Sequence, residues 1–471
     1  MTSSAAALDR SGATDTAGSR TGNLRLRVLL SAMMFFTYAV WGAWTPILAL
    51  TLGNRLNATG AEIGSVYGVL WLACIITPFI GGQLVDRLMP SQVFLGIAAA
   101  VCAGSAWMMS QQQTIGGLIM WMWVWSIFFA PTLGITNSIA FQHLGKGGTS
   151  EREQERDFAV IRTAGTIGWI VAGAVLTWYL SSKPPVPKGT WAPYEEFQLT
   201  ALFGVILTVV AFLLPNTPPS KTAASPWAFT KAFSLFTLVP GFLAFMLISF
   251  IVSTEFQFFY LLSAPFLESV GVKDNLVPIT KTLSQVAEIV SLAVFLPISL
   301  RYLGMRKTLV LGVLAWPLRY FIFALGQPLW LVIFSLAFHG IGFAFVFVTS
   351  QIYVDRVAPR DIRASAQSLL TLVTLGFGNW LGTIFSGRLK DHYTNFVPNP
   401  QNQSEMIPGA VNWPMVFIVP AVICVVCALA FWLTFRDPVS APAEGLSSDD
   451  APAEEPALIP SPERGGPGVI P

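Results

Sequence analysis

Long apolar runs, separated by short polar connections, recur along almost the whole chain. A helix needs about 20 apolar residues to cross the hydrocarbon of a bilayer. The runs at 28–51, 61–82, 91–110, 115–141, 158–180, 197–214, 241–265, 277–299, 307–325, 329–352, 364–386 and 413–435 match that length. Their pattern predicts twelve membrane-spanning helices. Pro46, Pro78, Pro131, Pro297 and Pro317 fall inside them. Such breaks are tolerated where neighbouring helices or water satisfy the freed backbone groups. The longest polar stretch between mid-chain runs is 215–240, with Pro215, Pro218, Pro219 and Pro226. It divides six runs in 24–214 from six in 241–436, which suggests two repeats facing each other across a central site. Residues 1–23 are rich in Ser, Thr, Ala and Gly, and 437–471 in Pro, Ala and Glu. Both tails are expected to be disordered. The first apolar run is too long for the core of a signal peptide, so it reads as the first span.

Composition narrows the function classes. Hydrophobic residues make up 54% of the 471, and charged residues only 11%, against about 25% charged in soluble proteins. An ordinary soluble enzyme and a disordered chain are excluded. A net charge of +2 excludes a basic footprint on nucleic acid. Cys74, Cys102, Cys424 and Cys427 all lie inside apolar runs and read as packed thiols, the C-x-x-C spacing of the last two being fortuitous. The three histidines, 143, 339 and 392, are scattered, and neither a zinc-protease nor a phosphate-binding motif is present. No catalytic site, metal or cofactor is expected, nor an ATP-driven pump. A membrane sensor would need a signalling domain, and the C-terminal tail suggests none. With both termini in the cytoplasm, 18 of the 27 Lys and Arg fall on the cytoplasmic side and 6 on the other, as the positive-inside bias requires.

Several charges sit where a bilayer penalises them by about 2.5–3.5 kcal/mol each at the centre. They are Arg162 in span five, Glu255 in span seven, Lys281 and Glu288 in span eight, and Arg319 in span nine. Such residues face a bundle interior or a wet cavity and mark a pathway or a proton relay. Arg162, Thr166 and Trp169 share one helical face, as do Lys281, Gln285 and Glu288. Gln257 and Tyr260 lie near Glu255. Faces offering a cation, amides, a hydroxyl and flat rings suit a neutral ligand with hydroxyls and a ring. The bland alternatives are that Glu255 pairs with a neighbouring helix, that Lys281 snorkels to headgroups, and that Arg319 anchors at the interface. Glu288 is mid-span, and a carboxylate there can take and release a proton as its surroundings change.

The loop Gly82-Gln83-Leu84-Val85-Asp86-Arg87 after span two, and Arg301 with Gly304, Arg306 and Lys307 after span eight, are similar to the paired cytoplasmic loops of the major facilitator superfamily. The resemblance implies a gate involving Asp86, Arg87 and Arg301. Other segments follow in order: Trp41-Gly42-Ala43-Trp44, Pro131-Thr132-Leu133-Gly134 with Asn137, Ile161-Arg162 with Gly165-Thr166-Ile167-Gly168, Ser284-Gln285 with Glu288, Ala315-Trp316 with Leu318-Arg319, and Ile362-Arg363-Ala364-Ser365-Ala366-Gln367. From Leu24 to Phe435 the set resembles the bacterial nucleoside:proton symporters of that superfamily. An all-α membrane protein of two six-helix halves is implied, moving a nucleoside and a proton by alternating access across the inner membrane. The substrate contacts implied are Arg162, Thr166, Trp169, Gln257, Tyr260, Gln285, Glu288, His339 and Phe343, with Glu288 coupling the proton. Tyr260, His339 and Ala344 stand where the family carries Asn, Tyr and Asp, which leaves open a sugar, a modified nucleoside or another small polar metabolite. His339 reads either as a titratable replacement or as a core histidine bonded to a carbonyl. The expected partners are nucleoside, proton and lipid bilayer, without nucleic acid, and the expected working unit is a monomer.

Overall fold

The structure is a computed structural model. It describes the backbone of residues 8–87, 89–144, 151–218, 232–359 and 362–435, and their side chains except at 8–23, 78–87, 151–152, 155 and 364. Twelve helices are long and apolar enough to cross a membrane: α1 (Leu24–Gly42), α2 (Gly60–Thr77), α3 (Ser91–Ser110), α4 (Ile115–Leu144), α5 (Arg156–Ser181), α6 (Glu195–Leu213), α7 (Phe242–Ser269), α8 (Asp274–Tyr302), α9 (Gly304–Leu325), α10 (Leu329–Val357), α11 (Ser365–His392) and α12 (Trp413–Thr434). Eleven of the twelve lie within several residues of the hydropathy runs. The first is shorter than its run, because the chain leaves the helix after Gly42 and passes through turns to a separate helix, Leu48–Leu56. Pro46 accounts for the break, since it has no N–H to continue the ladder. At the other end the helix containing α1 begins at Leu8, within the segment whose composition predicts disorder.

The helix pairings repeat between the halves. In the first half α1 packs on α5 and α6, α2 on α4, and α3 on α6; in the second α7 packs on α11 and α12, α8 on α10, and α9 on α12. Each pairing recurs six helices later. The halves meet through α2 with α11 and α5 with α8, and these two contacts are exchanged by the same offset of six. Irregularity is concentrated in the second half, where α8, α10 and α11 each contain a π turn, at Ser291–Phe295, Ala344–Val348 and Leu372–Gly378. An antiparallel hairpin of β1 (Thr394–Asn399) and β2 (Asn402–Val411) joins α11 to α12. Hydropathy marks only a polar connection there.

Among the described residues, the hydrogen bonds and ion pairs that cross between the halves gather at the hairpin end. Asp391, near the end of α11, accepts the backbone N–H of Gly60 at 2.6 Å and of Ala61 at 2.7 Å, and so caps α2 from the opposite half. Two charge-assisted bonds at the positive end of a helix make a favourable anion site. Gly387 lies backbone to backbone against Gly60, in space that a Cβ on either would fill. Nearby, Asn54 donates to the Asp274 carboxylate at 3.1 Å, Asn275 to the Ser181 hydroxyl at 2.9 Å, and Lys188 pairs with Glu268. The hairpin end is therefore closed. Asp391→Ala should loosen it by about 1–2 kcal/mol, roughly a tenfold shift in the open population. A cysteine placed at Asn54 should then react faster with a water-soluble thiol reagent, and an unchanged rate would show that Asp391 does not hold the closure.

Candidate functional site

The seam between the halves brings together charges from different helices. Arg162 lies on the inward side of α5, with its guanidinium carbon 4.2 Å from the centre of the Tyr38 ring of α1. Glu288 of α8 lies within electrostatic reach of both Arg162 and Tyr38, and Tyr260 of α7 is within reach of Glu288. A cation of the first half thus lies within electrostatic reach of a carboxylate of the second, with two phenols close by. Arg162 and Glu288 are half-buried, and Tyr38 and Tyr260 likewise. Thr166 lies one turn along α5 from Arg162, also half-buried.

Aromatic rings wall the site. Trp169, about two turns beyond Arg162, meets Trp41 of α1 edge-on at 5.3 Å and Tyr260 at 6.3 Å. Its ring lies 2.8 Å from where a Cβ on Gly42 would stand, so only glycine lets it approach α1 so closely. Tyr260 meets Phe256 at 5.2 Å and His339 at 5.5 Å. Phe343 joins the wall through Phe256 at 6.2 Å. Gln285 is buried, its side-chain oxygen 3.3 Å from the Ser284 hydroxyl. Gln257 is fully buried against Gly382 of α11, and neither of its amide atoms has a protein partner. Helices α8 and α10 touch at Gly340, where a Cβ would collide with the backbone of Ser284, Ala287 and Glu288.

Behind this wall lies a second polar cluster. His339 stacks on Phe259 at 3.8 Å and on Phe256 at 4.8 Å, and its Nδ1 is 3.0 Å from the Arg319 guanidinium. Since Arg can only donate, Nδ1 accepts and the ring is neutral in this arrangement. His339 therefore pairs with an arginine, not with the backbone carbonyl of the core-histidine reading. Arg319 is fully buried and surrounded by the rings of Phe259, Tyr320 and Phe323 at 4.9, 4.7 and 5.8 Å. It does not anchor at the interface; ring faces stabilise the charge instead. Nor does Lys281 snorkel to headgroups. Its ammonium is buried, donates to the Pro46 carbonyl at 3.0 Å and sits 4.8 Å from the Phe259 ring. The carbonyl comes from the turn that ends α1, so Lys281 ties the two halves together. The Glu255 carboxylate does not pair with a neighbouring helix: its Oε2 has no protein partner, and only its backbone oxygen accepts the Tyr320 hydroxyl, at 2.7 Å. Its carboxylate is buried with Tyr320, Cys424 and Cys427 around it, inside the second half and away from Arg162. Ala344 is buried against Leu296 and Phe345 at the start of a π turn.

Of the loop residues, Arg301 is exposed with its guanidinium 5.4 Å from the Tyr302 ring. The side chains of Asp86 and Arg87 lie outside the described residues. Sequence reasoning missed Tyr38, Phe256, Phe259 and Asp391. Tyr38 and Trp41 are three apart on α1 and share a face. The test of shared faces applied to spans five and eight would have found them.

Two pseudo-equivalent six-helix halves, closed at one end over a seam lined by facing charges, define an alternating-access secondary transporter. This chain belongs to the nucleoside H+ symporter family, whose pattern matches residues 24–440. YegT of Escherichia coli (strain K12) is 30% identical over 423 residues, 87% of this chain and 93% of that protein. The nucleoside permease NupG of the same organism is 27% identical over 429 residues, 88% and 96% of the two chains. A solved structure of the nucleoside transporter NupG superposes with a TM-score of 0.75 at 25% identity, covering 87% of this chain and 99% of that one.

The Gly340 contact generates one prediction. Gly340→Ala should destabilise the second half by about 1–3 kcal/mol through overpacking, read as a lower melting temperature of the detergent-solubilised protein. An unchanged melting temperature would contradict the close approach of α8 and α10.

Proposed function

We propose that this chain carries nucleosides across the cytoplasmic membrane together with protons, by alternating exposure of the site between its halves. The observation that carries this is that Arg162 and Glu288, from opposite halves, lie within electrostatic reach of each other beside Tyr38 and Tyr260, with Trp169 and Phe343 in the ring cluster around Tyr260. A nucleoside presents a flat base and a hydroxyl-rich sugar. Rings stack on the first, while Arg162, Thr166, Gln285 and Gln257 hydrogen-bond polar groups. Membership of the nucleoside H+ symporter family supports the same reading.

Glu288 is the coupling group. Ionised, it is favoured by Arg162; protonated, it is neutral and donates one hydrogen bond. When the halves rock apart, the separation of these two charges changes, and so does the hold on the proton. Both termini lie in the cytoplasm by the bias of Lys and Arg. The hairpin end is then the outer end, and the structure is closed to the outside. One chain supplies both halves of the site, so a monomer suffices.

Glu288→Gln should abolish accumulation of radiolabelled nucleoside against a gradient in proteoliposomes while some exchange survives. Full concentrative uptake by this variant would end the assignment of coupling to Glu288. A panel of unlabelled uridine, adenosine, xylose and maltose should compete only through the nucleosides. Competition by the sugars alone would move the substrate within the same fold, as the Tyr260 and His339 positions allow.

A further inference from the structure

Arg162 of α5 has a ring as its immediate neighbour. Tyr38 of α1 lies against the guanidinium, with its ring centre 4.2 Å from the guanidinium carbon. A ring face attracts a cation through its quadrupole. The backbone makes room for this pair. A Cβ on Gly165, three residues along α5, would stand 2.6 Å from Cδ2 of Tyr38 and 3.1 Å from Nη1 of Arg162. Glycine at this position therefore leaves the notch in which ring and guanidinium lie together. Tyr38 is braced in turn by Trp41 of its own helix, with ring centres 6.4 Å apart, and Trp41 by Trp169.

Glu288 is near but does not close on this cation. Helix α5 packs against Leu283–Val290, the stretch of α8 that carries Glu288, and the carboxylate is within electrostatic reach of Arg162. Yet among the described residues the ion pairs within 4.0 Å include neither Arg162 nor Glu288. Opposite charges in surroundings less polar than water attract strongly, and an arginine side chain has the torsional freedom to close a short gap. The helices are pinned further along, where a Cβ on Gly173 of α5 would stand 2.8 Å from Cγ2 of Thr282 and the N–H of Ile279 donates to the Thr177 hydroxyl at 3.1 Å. The gap at Arg162 is thus kept by side chains. The other groups around Glu288 do not take the place of the Tyr38 ring. Helix α7 contributes the phenol of Tyr260. Helix α10 contributes Gly340 and, beside it, His339, whose Nδ1 is taken by Arg319. Lys281, two turns earlier on α8, is bound to the Pro46 carbonyl.

We propose that Tyr38 is a positioning residue: its ring holds the Arg162 guanidinium close to Glu288 yet out of contact with it, which keeps the carboxylate free to take up a proton. The inference rests on the reading of Glu288 as the coupling group. A closed pair of Arg162 and Glu288 would favour the ionised carboxylate and oppose protonation, and removal of the guanidinium would do the reverse. The ring sets a position between these extremes. Tyr38 gives and takes no proton itself, so its ring matters and its hydroxyl does not.

The test follows protonation of Glu288 directly, in the full chain in detergent. The carboxylic-acid infrared band that is lost in Glu288→Gln is titrated with pH in the wild type, Tyr38→Leu and Tyr38→Phe. With the ring gone Arg162 closes on Glu288, so the midpoint of the band should fall by about one pH unit, a tenfold higher proton concentration. Tyr38→Phe keeps the ring and should restore the wild-type midpoint. A role in packing alone would lower the melting temperature of Tyr38→Leu and leave the midpoint where it was. Gly165→Ala is the second variant. Its methyl group drives ring and guanidinium apart while keeping both, and it should move the midpoint the same way even if Tyr38→Leu does not fold. An unmoved or raised midpoint would overturn the proposal and leave the coupling reading standing. Equal shifts in Tyr38→Leu and Tyr38→Phe would assign the effect to the hydroxyl and overturn it too. If no titrating band depends on Glu288, the coupling reading fails and the proposal with it. If the band shifts as expected but wild-type proteoliposomes exchange uridine without responding to a proton gradient, the positioning stands and the coupling reading alone fails.

Discussion

A charge buried in a bilayer has to be held by the protein, because water is not there to hold it. This constraint organises the second half of the molecule. Lys281 reaches the backbone carbonyl of Pro46 in the turn after α1, Arg319 is ringed by aromatic faces, and His339 takes a hydrogen bond from Arg319. These groups lie beside one another around Phe259, whose ring touches all three. Each is thereby fixed in place, and the helices that carry them are fixed with it. Arg162 and Glu288 are the exceptions, half-buried at the seam. The contrast divides fully buried charges packed around one ring from half-buried charges at the meeting of the halves.

The repeated pairings give that scaffold its hinge. Within each half the same helices meet in the same combinations, and among the described residues the halves meet chiefly through α2 with α11 and α5 with α8, with the helix Leu48–Leu56 also against α7. Glycines at Gly60 and Gly387 let backbones touch there, and small flat contacts slide more readily than interlocked side chains. Asp391 adds a polar catch at the hairpin end. A closure of capped helix ends and hydrogen bonds can re-form with water when it opens. A large apolar seal there would have to be exposed at each cycle.

Much of this was legible in the chain. Hydropathy alone located the twelve spans, since length and polarity in a bilayer leave few alternatives. Shared helical faces picked out Arg162, Trp169, Gln285 and Glu288, and Glu288 does lie midway along α8. What escaped was whatever depends on a partner distant in sequence. Lys281 near a helix end looks the same whether it reaches for headgroups or for Pro46, and only folding sets that carbonyl beside it. Asp391 reads as one polar residue before a loop until α2 is seen to begin against it. Glu255 and Glu288 are both single carboxylates in apolar runs, yet one is buried inside the second half and the other is half-buried within electrostatic reach of Arg162. The hairpin of β1 and β2 escaped because two short polar strands outside the membrane leave no trace in hydropathy.

The contact of Gly340 with the backbone of Glu288 has a mechanical consequence. No side chain lies between α8 and α10 at that point, so nothing compressible separates them. Displacing α10 must displace the backbone of Glu288 by nearly the same amount. Glu288 therefore rides on its half as a plate rides on its mount, and Arg162 rides on the other.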